Sequence, residues 1–421
     1  MAKRAFKYRI YPNYEQETLI RKTIGCARYT YNSLLEDYKQ QLDNYNKNNK
    51  NPLLSPCIKE VTFLKNTAPF LNEVDSLALA NAKQHLRQAL TNFFNSRNGK
   101  RKGRNVKFPK LHKKSKAKLS YTTNNQGGNI RIQGNKIKLP KLGWVKIIEH
   151  TPLLGEIRSV TITQERNNTY YISVLCEYTH KTITKHKPIS ELRVVGLDMS
   201  YSEFVVSSDK STDDTKPKYI RQYRTNERRR KLLNRRLSRK AAGSKNRDKS
   251  RIRLANLDRH ISNSRKDYCH KLSRFYADNY DVIILEDIDM QQQQRALHNG
   301  KSVGDLGFGM FKSYLSYKCM DNDTALIYAD KWFASSKTCN KCGYVKSDLK
   351  LSERKWECPI CGETHDRDYN AACNLRDYFY RLIGTAGTAG NNAWGDTSNT
   401  LRETLLQVVS MNQEAPSFRW G

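Results

Sequence analysis

Residues 193–208 read RVVGLDMSYSEFVVSS, and residues 281–290 read DVIILEDIDM. In the first stretch two apolar runs flank Met199–Ser202, which predicts a β-hairpin with the carboxylate of Asp198 near its turn. The second is an unbroken apolar run of strand length ending in acids. It predicts a strand buried on both faces, as in parallel sheets, with Glu286 at its end. Between them, residues 221–253 carry 15 Lys/Arg against two acids in a helix-compatible pattern broken near Ala241–Gly243. Residues 255–279 continue as helix, and beyond a loop at 291–309 come a helix near Met310–Cys319 and a strand at 325–330. An α/β region therefore occupies the second half of the chain.

Upstream, the alternation of Phe6, Tyr8 and Ile10 with Ala5, Lys7 and Arg9 predicts a strand that Pro12 ends. Two helices are expected between Glu15 and about Asn46, a Pro-broken connector over 51–70, and a strong helix from about Asn72 to Arg97. After a run at 101–118 with Lys or Arg at half its positions, short alternating segments at 129–133, 136–139, 144–149, 157–164 and 169–177 read as an antiparallel meander or small barrel. The first strand and residues 118–180 are expected to close one β-barrel-like domain with the helices inserted into it.

Composition narrows the function classes. The chain has 421 residues, enough for two to four domains at roughly 150 residues each. Lys and Arg number 75 against 41 Asp and Glu, a net charge of +34, which calls for a polyanionic partner. The first residues contain no apolar signal core, and no window approaches the ~20 apolar residues of a membrane span, so a cytoplasmic protein without a membrane partner is expected. Six of the ten cysteines (Cys26, Cys57, Cys176, Cys269, Cys319, Cys373) have no spacing pattern and read as small buried apolar residues.

The other four do have a pattern. CNKC at 339–342 and CPIC at 358–361 are separated by fifteen residues, within the range of zinc ribbons. Gly343 and Gly362 follow the two pairs and permit tight knuckles. Cys339, Cys342, Cys358 and Cys361 would fill one zinc tetrahedrally and leave no open position, so that zinc would be structural. His365 reads as a surface or supporting residue rather than a ligand. Three carboxylates form a second set: Asp198 on the hairpin, Glu286 at the strand end, and Asp368 where a helix begins in HDRDYNAACNL. Singly, these read as a turn residue, a strand terminator and an N-cap. Together, on a chain of this charge, they follow the order used by RNase-H-like nucleases, which hydrolyse phosphodiesters with two divalent ions held by hard oxygen ligands.

The run Gly196–Asp198, ILEDIDM with Glu286, SSKTCNKCG and CGETHDRDYNAACNL resemble the TnpB family, transposon-encoded RNA-guided nucleases related to the compact type V CRISPR effectors. The opening KYRIYPNYEQ and the NFF and KFPK segments around 92–110 add to the resemblance. It implies a multidomain α/β protein: a β-barrel (wedge) domain with its first strand in 1–14 and its remainder in 101–190, and a helical recognition domain inserted at 15–100. A RuvC-like nuclease domain would follow at 191–334 and 365–383, with a zinc ribbon inserted at 335–364. Asp198, Glu286 and Asp368 map onto the catalytic acids, with Asp368 preferred to Asp366 because it directly precedes Tyr-Asn-Ala-Ala. The implied cofactors are two Mg²⁺ or Mn²⁺ and one zinc. The implied partners are a guide RNA from the transposon end and target double-stranded DNA recognised beside a short adjacent motif, in a cytoplasmic, nucleoid-associated setting. Ser200 departs from the Gly common two residues after the first acid, and only tuning is expected from it. Two alternatives are a nuclease-inactive RNA-guided DNA-binding repressor and a DNA transposase proper. Residues 384–421 are rich in Gly, Thr, Asn and Ser and read as a tail with too little apolar area to fold.

Overall fold

The computed structural model describes residues 2–48, 55–101, 103–115, 117–149, 151–179, 187–200, 203–219, 222–287, 307–330, 333–350 and 352–386. The chain forms two compact units, Met1–His180 and Lys181–Gly421. The expected tail lies outside the described residues, except for 384–386, which extend the last helix.

In the first unit, β1 (Ala2–Tyr11) leads to α1 (Tyr14–Lys47), α2 (Val61–Thr67), a 3₁₀ turn at Pro69–Glu73 and α3 (Ser76–Arg97). Then follow β2 (Ser120–Asn124), β3 (Arg131–Gln133), β4 (Lys136–Leu139), β5 (Gly143–Ile148), β6 (Glu156–Gln164) and β7 (Tyr170–Tyr178). Their order is β2-β6-β7-β1-β5-β4-β3, antiparallel throughout. Thus β1 is central, as the expected assembly requires, with Phe6, Tyr8 and Ile10 buried. The barrel does not close. β2 and the three-residue β3 are free edges of a curled, open sheet, because α1 and α3 cover its apolar face instead. Ile20, Leu35, Leu79 and Leu86 share one core with Tyr8, Val145 and Ile162. Only one helix spans the region where two were expected. Pro is absent from Tyr14–Lys47, and there is open space where a Cβ at Gly25 would stand. Its start is fixed by a capping box: the Gln16 N–H donates to Asn13 Oδ1 at 2.8 Å, and the Asn13 N–H to Gln16 Oε1 at 3.1 Å.

The second unit contains β8 (Val194–Asp198), β9 (Val206–Ser207), α4 (Gln222–Ser238), α5 (Lys245–Asn279), β10 (Val282–Glu286), α6 (Phe308–Asp321), β11 (Ala325–Ala329), β12 (Lys355–Glu357), β13 (Thr364–Asp366) and α7 (Arg367–Ala386). The sheet order is β11-β10-β8-β9, with β8, β10 and β11 parallel and β9 antiparallel to β8. Both faces are covered, which is why β10 lacks polar alternation. Ile283 and Leu285 pack with Tyr276, Phe311 and Leu315 from α5 and α6, whereas Val282 and Ile284 pack with Leu375, Tyr378 and Phe379 from α7. The basic stretch forms a helical hairpin, α4 turning into α5 through Gly243 at φ 81°. Five of the six unpatterned cysteines are buried as expected, but Cys57 is exposed.

Candidate functional site

Two local features aim β8 at its neighbours. Gly196 lies against α7 so closely that a Cβ there would overlap the Ala372 carbonyl, the Arg376 amide and Leu375 Cβ. Nothing larger than hydrogen fits, and the N-terminal turn of α7 comes to lie beside the end of β8. Past Asp198, the turn is anchored by Phe204, which adopts φ 74°, a left-handed conformation that bulky residues rarely take. It is held there by complete burial among the rings of Tyr219, Tyr268, Phe308 and Phe311. Its carbonyl accepts the Ser200 N–H at 3.1 Å, which fixes the residue two after the acid.

Strands β8 and β10 run in register through Leu197 and Leu285, so Asp198 and Glu286 leave the sheet together at the carboxyl ends of parallel strands. Asp368 joins them from the first turn of α7. Burial first, then the Glu286 and Asp368 carboxylates, push Asp198 up to about 8, with Arg367 opposing. Burial also raises Glu286, against Lys312 and Arg367. Lys312 Nζ donates to the Glu286 carbonyl at 3.0 Å. Asp368 accepts from Ser200 Oγ at 2.9 Å and from Arg354 Nη1 at 3.1 Å on each oxygen. Asp366 behaves differently: it is exposed, and its Oδ1 accepts the Tyr369 N–H at 3.1 Å, capping α7. Of the three expected acids, Asp198 thus feels the negative charge of both Glu286 and Asp368.

Among the described residues, Cys339, Cys342, Cys358 and Cys361 are the set of potential ligands whose donor atoms all lie within 4.8 Å of one another. Two symmetric knuckles build it. The Gly343 N–H donates to Cys339 O and the Gly362 N–H to Cys358 O, both at 2.9 Å, with the two glycines at φ 81° and 67°. Sulfur separations of 3.6 Å (Cys339–Cys361) and 3.5 Å (Cys342–Cys358) approach the ~3.8 Å edge of a tetrahedron with ~2.3 Å metal–sulfur bonds. The donor set fits a structural metal. His365 is buried rather than on the surface, with Nε2 3.0 Å from Cys339 Sγ. Hairpin β12–β13 connects this centre to Asp368.

Sequence reasoning missed the residues that join the four-cysteine segment to α7. Asn370 and Asn374, one turn apart and fully buried, donate to the Thr338 carbonyl at 2.7 and 2.6 Å, and Asn374 also to Ser335 O at 2.8 Å. Asn340 Nδ2 returns a bond to Asp377 at 2.7 Å. The i, i+4 spacing of the two asparagines was a usable signal, since buried amides require partners. Arg354 and Lys312 carried none.

A putative RNA-guided DNA endonuclease of Streptomyces pristinaespiralis is 34% identical over 413 residues, covering 96% of each chain. The chain belongs to the TnpB family of transposon-encoded RNA-guided nucleases. The putative RNA-guided DNA endonuclease InsQ of Escherichia coli K12 is a further TnpB relative, 25% identical over 388 residues (88% of this chain, 91% of that one). Three family descriptions match parts of this TnpB chain: a helix-turn-helix domain over residues 1–48, a probable transposase over 173–296, and a Cas12f1-like TNB domain over 308–375. The first is at odds with the fold, in which residues 2–47 make one strand and one unbroken helix. A Cas12f1 chain solved by cryo-EM in a complex with sgRNA and target DNA superposes with a TM-score of 0.52 at 12% identity, covering 89% of this chain and 98% of that one, which is a likeness of fold. No helix among the described residues is long and apolar enough to cross a membrane.

Proposed function

We propose that this TnpB chain cleaves double-stranded DNA by phosphodiester hydrolysis in a RuvC-like domain, under the direction of a guide RNA from the transposon end and an adjacent duplex motif. Asp198, Glu286 and Asp368 would hold two Mg²⁺ or Mn²⁺. Bound divalent ions supply Lewis acidity at the phosphate and lower the pKa of the attacking water. The observation that supports the reading is that Glu286, from the adjacent strand end, and Asp368, from the start of α7, both act electrostatically on Asp198. The protein's part is to fix these groups: Lys312 braces the end of β10 and Ser200 orients Asp368.

Cys339, Cys342, Cys358 and Cys361 would hold one zinc that folds the ribbon and takes no part in the chemistry. In this reading the wedge domain comprises 1–14 and 101–190, the recognition helices 15–100, the nuclease domain 191–334 and 365–383, and the ribbon 335–364. The basic hairpin α4–α5 faces nucleic acid, and the protein works in the cytoplasm on the nucleoid. The test is to sequence the RNA that co-purifies with the full chain, then to offer a plasmid carrying the matched target in Mg²⁺. Linearisation by the wild type and none by Asp198→Ala is the expected result. Guide-dependent binding without cutting by the wild type would refute the endonuclease reading in favour of a repressor.

A further inference from the structure

The amides of Asn370 and Asn374 are buried on α7, and nothing in the proposed chemistry uses them. Both donate to one acceptor, the Thr338 carbonyl that directly precedes the first cysteine pair, and Asn374 donates also to Ser335 O. Asn340, between Cys339 and Cys342, answers them. Its N–H donates to Asn370 Oδ1 at 3.0 Å, and its Nδ2 to Asn374 Oδ1 at 3.2 Å and to Asp377 Oδ2 at 2.7 Å. The donor and the acceptor of each buried amide are thus both engaged by residues 335–340, across thirty or more residues of sequence.

The neighbouring stripe of α7 is held by other means: Leu375, Phe379 and Leu382 share an apolar core with Val282 and Ile284. Apolar contact has no direction, whereas a hydrogen bond weakens steeply away from its axis. The sheet therefore sets how closely α7 lies, and the amides set its rotation and its register along its own axis. Asp368 stands in the same first turn as Asn370, so that rotation aims its carboxylate. The other end of the clamp is the first knuckle, whose shape an ion on the four thiolates would fix. We propose that Asn370 and Asn374 are positioning residues: they transmit the shape of the metal-filled knuckle to α7 and so aim Asp368, and α7 in return helps the cysteines retain their ion. Both ends are those assigned above, a metal on the cysteines and Asp368 as a cation ligand, and the role rests on that reading. Coupling of this kind is reciprocal, so either end can be perturbed and the other read.

The test compares wild type, Asn370→Ala and Asn340→Ala as full chains with their co-purified RNA. Asn340→Ala deletes the side-chain bonds to Asn374 and Asp377 and leaves the interior of α7 intact, so it stands in should Asn370→Ala fail to fold. Zinc release to a chelating dye, hydrogen exchange with and without chelator, and single-turnover cleavage of matched duplex across Mg²⁺ concentrations are measured. In the wild type, chelation is expected to raise exchange in α7 as well as around the cysteines. The variants should release zinc about 10-fold faster, as when an outer-shell partner of a metal site is lost. Their α7 should exchange fast already and no longer respond to chelation, while β8 and β10 keep wild-type exchange. Half-activating Mg²⁺ should rise several-fold, because a misaimed carboxylate holds its ion less well. A wild-type α7 indifferent to chelation, or zinc release unchanged in the variants, overturns the coupling. Exchange raised equally in β8, β10 and α7 reveals a general loss of stability and overturns the positioning role. A coupled α7 with unchanged Mg²⁺ dependence overturns the aiming of Asp368. Absence of Mg²⁺-dependent cleavage in the wild type would instead sink the assignment of the three acids and the aiming with it, and zinc release and exchange would still decide the coupling.

Discussion

Replacing Gly196 by Ala should damage both the stability of the second unit and its cleavage. A methyl at this position overlaps two backbone atoms, the Ala372 carbonyl and the Arg376 amide, and sits 2.9 Å from Leu375 Cβ. Backbone cannot rotate aside as a flexible side chain does, so β8 and α7 must separate. Overpacking of this kind costs about 1–3 kcal/mol. A unit of this size loses roughly 2–4 °C of melting temperature per kcal/mol, so a fall of about 2–12 °C is expected. The same separation moves Asp198, two residues along the strand, away from Asp368, one helical turn along α7. Misplacement of reacting groups by ~1 Å can cost ~100-fold in rate. Gly309→Ala is the control, because it lies in the first turn of α6 with no atom near its would-be Cβ, and it should leave both quantities unchanged. Differential scanning fluorimetry and single-turnover cleavage of matched duplex measure the two effects. A Gly196→Ala protein that melts within a degree of wild type and cuts at the wild-type rate would refute the account of how the acids are brought together.

Alanine at Asp198, Glu286 or Asp368 should abolish cleavage while guide-dependent DNA binding, read by gel shift, stays near wild type; near-normal cutting by any one removes that residue from the site. Asp366→Ala should instead cost ~1 kcal/mol as a lost helix cap and keep most activity. Metal analysis should return about one zinc per chain. Cys358→Ser or strong chelation should raise hydrogen exchange across β12–β13, because among the described residues the core there is small: Cys339, Leu349, Trp356 and Cys358, with Cys361 packed against them; a metal-free protein with unchanged exchange would refute the structural role. In buffer free of divalent ions, stability should fall as pH rises from about 4 toward 8. Asp198 goes from 3.8 when unfolded to about 8 when folded, so the folded state binds the extra proton across that window and loses the advantage above it. Asp198→Asn should flatten this slope in urea melts, and a slope that survives the substitution assigns the effect elsewhere.

The legible parts of this molecule were those encoded within a few residues. Alternation around Tyr8 and the apolar run before Glu286 determine strands locally, and so Asp198 and Glu286 could be assigned to strand ends from sequence. The cysteine pairs are equally local, since two intervening residues and a glycine define each knuckle. The failures concern long-range choices. Whether a sheet closes depends on what else covers its apolar face, and α1 and α3 compete for that surface with β2 and β3. The continuity of α1 through Gly25 rests on tertiary packing that outweighs a weak local preference. Arg354 gave no signal because its meaning comes from a cross-strand neighbour, Arg367, and the carboxylate beyond it. The clamp at Asn370 and Asn374 was legible only by half: their i, i+4 spacing could be read, but their partners are main-chain carbonyls, which have no identity in a sequence.

The contact between Gly196 and α7 also fixes when a nascent chain becomes complete. The two partners are 176 residues apart in the sequence, from Gly196 to Ala372. A ribosome adding ~5–20 residues per second needs roughly 9–35 s to bridge that interval. From about halfway through it, once Val282 and Ile284 are made, their flank of β10 waits for the helix that will cover it. Asp198 is made at the start of the interval and Glu286 near its middle, while Asp368 and the covering helix come together at its end. A fragment released by premature termination before α7 therefore leaves this apolar flank of the sheet uncovered.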